Sequence, residues 1–220
     1  MSRTQVLWLH CGAFADPAVF AQALEKVPAQ RRRKTEVLKS ARERRLSLGA
    51  GLLLRYAFGN SADFGATAAG KPFIRGGGPF FSLSHGGDIA MLSVSDCAVG
   101  CDIEPVRPAD LRIAGRFFHP AETALLEAAD EADRDALFFR LWTCKESFLK
   151  AQGSGLLQPL DSFCVGFIYD VPVLLAGQPS CRFFELSVDP ACCAALCLTQ
   201  TTERETPTVR QVTAEALLRS

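Results

Sequence analysis

Val99-Gly100-Cys101-Asp102-Ile103-Glu104 is the stretch whose reading decides this chain. It reads as a short apolar strand carrying two carboxylates at i and i+2. Strand side chains alternate faces, so Asp102 and Glu104 point one way and Ile103 the other. Two like charges about 4 Å apart repel by about 4 kcal/mol at an effective dielectric of about 20. A fold that holds them together implies a proton, a basic partner or a metal ion. The plain alternative is two solvated carboxylates on an edge strand.

A second stretch, Trp142 to Lys150, changes that balance. It lies in a helical pattern from about Glu131 to Gln152, closed by Gly153 and Gly155. Trp142, Glu146 and Lys150 recur every four residues and share one flank. Glu146 can bring a third carboxylate to Asp102 and Glu104, and Lys150 can meet an anion beside them. Trp142 either walls that site or fills core. Three carboxylates without Cys or His nearby form an all-oxygen donor set, which favours Mg²⁺ or Mn²⁺ over zinc or copper.

Around these stretches, Phe80 to Leu83, Ala90 to Ser95 and Val99 to Ile103 read as three strands in quick succession. Ser84-His85-Gly86-Gly87-Asp88 reads as a turn whose serine, histidine and amides can cradle a phosphate. Upstream, a first strand near Val6 to Phe14 leads through Asp16-Pro17, an N-cap with proline at the first helical position, into a short helix. The run Arg31-Arg32-Arg33-Lys34 then opens a long helical pattern to about Phe58, with Arg42, Arg44 and Arg45 continuing the charge. It is a solvated helix face or an anion site. Gly59 to Gly78 reads as loop and contains Gly70-Lys71-Pro72. Downstream, helices are expected from about Leu111 to Phe117 and Pro120 to Ala129, and strands near 162–169, 181–187 and 193–199. The tail from Thr201 reads as polar and loose. The chain divides at Pro105 to Pro108 into a half over 1–105 and a half over 106–220, each an α+β unit of helices on a short sheet, with no internal sequence repeat evident.

Bulk composition narrows the function. The 220 residues carry no formal net charge, so no global field favours nucleic acid, and any basic site must be local. The 9 cysteines include no Cys-x-x-Cys and sit in small-residue apolar segments, which reads as core and a reducing compartment. No apolar run is long enough to cross a membrane, and the first strand is too short and polar for a signal segment. A cytoplasmic protein is expected.

The order Gly70-Lys71-Pro72, Phe81-Ser82-Leu83-Ser84-His85-Gly86, Val99 to Glu104, Phe117-Phe118 with Glu122, and Trp142 to Lys150 resembles the 4′-phosphopantetheinyl transferases of the long, surfactin-synthetase-activating class. The resemblance covers about residues 30 to 165. It implies two similar α+β halves in pseudo-twofold relation with coenzyme A in the cleft between them. It implies transfer of the phosphopantetheine arm of coenzyme A to a serine of an apo acyl or peptidyl carrier protein. Mg²⁺ is required, and adenosine 3′,5′-bisphosphate is released. By the match, Asp102, Glu104 and Glu146 bind Mg²⁺, while Lys150, Ser84 and His85 contact phosphates. Lys71 and Pro72 border the adenine, and Arg45 with Arg31 or Arg32 faces the 3′-phosphate. Glu146 is the first candidate for the base, directly or through a metal-bound water, and Glu122 the second. A monomer is expected. The chain departs from the pattern at Gly86, where a serine commonly follows the histidine, at Cys101, where a β-branched residue is usual, and in the basic run, which does not align with the family's lysines. Two other readings stay open: a Mg²⁺-dependent hydrolase of a nucleotide pyrophosphate, and a non-catalytic module that holds coenzyme A or a carrier.

Overall fold

A computed structural model describes residues 4–200 and 206–219. One succession of elements occurs twice. The first pass is β1 (Gln5–His10), α1 (Pro17–Lys26), α2 (Ala29–Glu36), α3 (Ala41–Phe58), a hairpin of β2 (Phe64–Ala66) and β3 (Pro72–Ile74), β4 (Phe80–Gly86) and β5 (Ile89–Ser95). The second is β6 (Val99–Pro105), α4 (Leu111–Phe117), α5 (Pro120–Ala128), α6 (Glu131–Gln152), a hairpin of β7 (Cys164–Ile168) and β8 (Val171–Ala176), β9 (Cys181–Glu185) and β10 (Cys192–Thr199). The sheets repeat as well: β1-β5-β4 in one and β6-β10-β9 in the other, so each repeat sets its last strand in the middle. β11 (Thr208–Gln211) then returns to pair in parallel with β1, and α7 (Ala214–Arg219) follows.

Strand alternation builds the layers. Leu7, Leu9, Ala90 and Leu92 pack under Leu46, Leu48, Leu52 and Leu53 of α3. Their neighbours Val6, Trp8, Ile89 and Met91 point the other way and meet Val99, Cys101, Ile103, Ala194, Leu196 and Leu198 of the second sheet. On the far side of that sheet, Ala195 and Cys197 pack under Leu141, Cys144 and Phe148 of α6. The order is therefore helix, sheet, sheet, helix. Both faces of each sheet are covered, which is why β1, β5 and β10 read as near-continuous apolar runs.

The sheets approach each other most closely where β4 runs beside β6. A Cβ on Gly86 would stand 2.3 Å from the Ile103 carbonyl oxygen. Serine side chains bridge the two strands: the Cys101 amide donates to Ser82 Oγ at 3.2 Å, and Ser84 Oγ donates to Asp102 at 2.8 Å.

β6 pairs with β10 and opens the second repeat, while β11 pairs with β1 of the first sheet. Four expectations need correcting. The basic helix is broken between Glu36 and Ala41. Ser40 caps a new helix by accepting from the Glu43 amide, a Ser-x-x-Glu start signal inside the basic run. The turn expected over Ser84 to Asp88 is mostly strand: Gly86 pairs with Ile89, leaving Gly87-Asp88 as the loop, with Gly87 at φ 58°. The segment expected to be loop up to Gly78 contains the β2–β3 hairpin. Of the expected loose tail, residues 201–205 and 220 lie outside the described residues, and the rest forms β11 and α7.

Candidate active site

Gly100, Asp102 and Glu104 share the face of β6 that looks toward α6. At Gly100 the helix lies almost on the strand: a Cβ there would stand 2.0 Å from the Ser147 carbonyl oxygen and 2.3 Å from the Ala151 nitrogen. Glycine is thus what lets α6 lay Glu146 and Lys150 against the two strand carboxylates.

Lys150 Nζ donates to Asp102 Oδ1 at 2.6 Å and to Ser84 Oγ at 3.1 Å. Ser84 donates to the same Oδ1. Burial pulls the Lys150 ammonium toward neutrality, but Asp102, Cys101 and Glu146 together outweigh it and hold the group above its usual range. The other Asp102 oxygen, Oδ2, is buried and meets no donor. An ionised oxygen in that position costs free energy until a cation or proton reaches it.

Glu146 is half-buried. Its carboxyl is raised by burial first and by Asp102 next, against a smaller lowering by Lys150, and Glu104 adds a further rise. The three carboxylates therefore share one electrostatic neighbourhood. Glu104 stands at its outer edge, accepting from Arg107 at 3.2 Å, with that guanidinium 4.7 Å from the Phe139 ring centre. Among the described residues, no group of three carboxylate, thiol or imidazole side chains is gathered tightly enough to enclose a cation unaided. Asp102 turns to Lys150 and Glu104 to Arg107, which keeps the like charges apart. The donor set still fits Mg²⁺: all hard oxygens, one of them orphaned, and an ion that keeps several positions for water and phosphate.

The remaining expected residues divide. Arg45 reaches Asp88 at 3.5 Å, and Arg42, which sequence reasoning left without a role, donates from Nε to the Gly87 carbonyl at 2.9 Å. Together they bring the basic start of α3 to the β4–β5 loop, and Arg45 Nε is buried without a partner. His85 is exposed; by alternation it shares the strand face of Phe81 and Leu83, which look toward α3. Arg32 is spent elsewhere: it donates to the Leu24 and Glu25 carbonyls at 3.0 and 2.9 Å, capping the end of α1. Arg31 is half-buried with its stem against Gly51, and burial lowers its guanidinium. Lys71 turns its ammonium inward, onto the Ala151 and Val99 carbonyls at 2.7 and 3.2 Å. Burial pulls it down to about 8. Half-buried Pro72 opens β3 beside it. Trp142 stacks on Phe138 at 5.9 Å and is tilted against Phe118 at 6.0 Å, as core.

Glu122 does not reach the site. Neither it nor Lys145 has exposed side-chain surface, and they are paired at 2.6 Å. Its oxygens also accept from the Val165 and His119 amides at 2.7 and 2.9 Å. A carboxylate sealed from solvent and held by a buried ammonium and two amides cannot meet a substrate hydroxyl, so the expectation of Glu122 as a base is corrected. The clue in the sequence was His119-Pro120-Ala121-Glu122, a capping pattern with its acid at N3.

The profile of the 4′-phosphopantetheinyl transferase superfamily matches residues 98–197, from just before β6 into β10. The 4′-phosphopantetheinyl transferase HetI of Nostoc sp. is 33% identical over 166 residues, covering 70% of each chain. This chain belongs to the 4′-phosphopantetheinyl transferase superfamily. The superfamily match contains Asp102, Glu104, Glu122, Glu146 and Lys150, whereas Arg45, Lys71, Ser84 and His85 lie before it. The 4′-phosphopantetheinyl transferase psf-1 of Bacillus pumilus is 39% identical over 132 residues, 58% of this chain and 57% of that one. The chain thus spans little more than half the length of that transferase. The crystal structure of Thermotoga maritima holo-(acyl-carrier-protein) synthase, at 22% identity and a TM-score of 0.41, covers 47% of this chain and 62% of that one. Membership of this superfamily leaves the pyrophosphate-hydrolase reading without support. Among the described residues, no helix is long and apolar enough to cross a membrane.

Proposed function

We propose that this protein transfers the 4′-phosphopantetheine arm of coenzyme A to a serine hydroxyl of an apo acyl or peptidyl carrier protein. One observation carries the reading: a buried Asp102 with one oxygen on Lys150 and the other orphaned, beside Glu146, inside the region matched by the superfamily.

Asp102, Glu104 and Glu146 would hold Mg²⁺, which would supply fixed positive charge to a diphosphate. The chain's own groups do the rest. Lys150, kept protonated by Asp102 and aimed by Ser84, neutralises charge on the phosphoryl group. Arg42 and Arg45 at the β4–β5 loop offer cations to a terminal phosphate. Glu146 is the candidate base: it would accept the serine proton on the carboxylate oxygen that it does not give to the cation. The serine oxygen forms a bond to the pantetheine-bearing phosphorus, and the bond from that phosphorus to the bridging oxygen breaks. The electron pair leaves with adenosine 3′,5′-bisphosphate.

The test is intact mass spectrometry of an apo carrier incubated with protein, coenzyme A and Mg²⁺. A gain of one phosphopantetheine arm is expected, and Asp102→Ala is expected to abolish it while still folding. Adenosine 3′,5′-bisphosphate released without any carrier, or full transfer by Asp102→Ala, would overturn the reading.

A further inference from the structure

The buried pair of Glu122 and Lys145 plays no part in the chemistry above, yet Lys145 immediately precedes Glu146. We propose that this pair is a rotational pin for α6, which aims Glu146 and Lys150 at Asp102. The inference rests on the transfer reading.

The pin has contacts on three elements. Lys145 Nζ donates to Glu122 Oε1 at 2.6 Å and to the Phe163 carbonyl at 3.0 Å. It also lies 4.1 Å from the Phe163 ring centre. Glu122 in turn accepts from the Val165 amide on β7 and the His119 amide at the start of α5. The Lys145 and Glu122 side chains have no exposed surface, so water cannot replace either charge when its partner is lost.

Successive helical residues point about 100° apart. Lys145 therefore grips α5 and β7 on one flank while Glu146 and Lys150 face β6 on another. Gly100 fixes how close α6 comes to β6, but a contact at one line of the helix leaves rotation about its axis free. Side-chain ends stand about 5–6 Å from the axis, so a rotation of about 10° moves them by about 1 Å. A misplacement of that size costs roughly 100-fold in rate. The pin and the glycine contact thus divide the task, one setting angle and the other setting distance.

The experiment compares wild type, Lys145→Met and the double variant Glu122→Gln/Lys145→Met. Each is read by thermal melting, by kcat and KM for coenzyme A, and by calorimetric titration with Mg²⁺ alone. Lys145→Met is expected to melt well below wild type, because it leaves a buried carboxylate unpaired. The double variant removes both charges and is expected to recover most of the melting temperature. It is nevertheless expected to keep a kcat roughly 10- to 100-fold low, with KM within about twofold of wild type and weakened Mg²⁺ affinity. A double variant with recovered melting and wild-type kcat and Mg²⁺ affinity would overturn the pin and leave the pair a purely structural feature. Absence of transfer by wild type would instead overturn the functional reading, and Mg²⁺ affinity would still judge the pin. Should the double variant fail to fold, Glu122→Gln, which removes the charge but keeps one oxygen to accept from Lys145 and the Val165 amide, is read the same way, and wild-type kcat and Mg²⁺ affinity there overturn the pin.

Discussion

Gly100→Ala is the smallest change that separates the two halves of the site. The added methyl would lie 2.0 Å from the Ser147 carbonyl oxygen, where ordinary contact begins at 3.4 Å. α6 must therefore retreat from β6 by about 1.4 Å, or β6 must bend by as much; overpacking of this kind costs about 1–3 kcal/mol. The Lys150–Asp102 contact, 2.6 Å in the wild type, would open to about 4 Å, beyond hydrogen-bond range. Transfer to an apo carrier is expected to fall by roughly 100-fold, with a melting temperature several degrees lower. Gly12→Ala is the control, since a Cβ there meets nothing within 4 Å, and it should leave both readouts unchanged. Wild-type transfer and melting by Gly100→Ala would refute the argument that strand–helix contact at this glycine sets the site.

Three further expectations follow from charge. Glu146 is raised in the folded protein, so its ionisation at neutral pH weakens the fold. In chelator-treated protein, Glu146→Gln should melt higher than wild type at pH 7, with the difference vanishing below the ordinary carboxylate range; an equal difference at both ends would contradict the assignment. Lys71 is depressed to about 8, so the unfolded chain holds its proton to higher pH than the native one. Wild type should therefore gain stability relative to Lys71→Met as pH rises from about 8 toward 10.5, and parallel melting curves across that window would count against it. Arg45→Ala should weaken coenzyme A more than its 3′-dephospho form in calorimetric titration, by roughly 1.5–3 kcal/mol for a charge-assisted hydrogen bond. Equal loss for both ligands would remove Arg45 from the phosphate site.

The parts of the fold visible beforehand are those with local signals. α6 spans Glu131–Gln152 as its pattern requires, ending at Gly153 in the left-handed conformation. α4 and α5 likewise stand within a residue of expectation. The strands β4, β5 and β6 were legible from their apolar runs. Of the missed elements, β2 and β3 are three residues each in a glycine-rich stretch, all of β11 is exposed, and β8 is an apolar run interrupted by Pro172. At the site, Asp102, Glu146 and Lys150 were legible because spacing fixes the faces they share. Arg32 and Glu122 were misjudged because a charge that caps a helix or pins a buried lysine looks, in sequence, like one that binds a ligand.

Sequence alone determined which side chains could cooperate within one element: strand alternation set Asp102 with Glu104, and four-residue helical steps set Glu146 with Lys150. Those relations depend only on backbone geometry. Tertiary structure decided which elements meet and at what distance. β6 opens the second sheet because strands pair by edge and register with partners far along the chain, and the repeat of strand order leaves no trace in residue identity. The contact at Gly100, the bridge from Ser84 and the inward turn of Lys71 arise from packing between segments dozens of residues apart, and no local pattern encodes them.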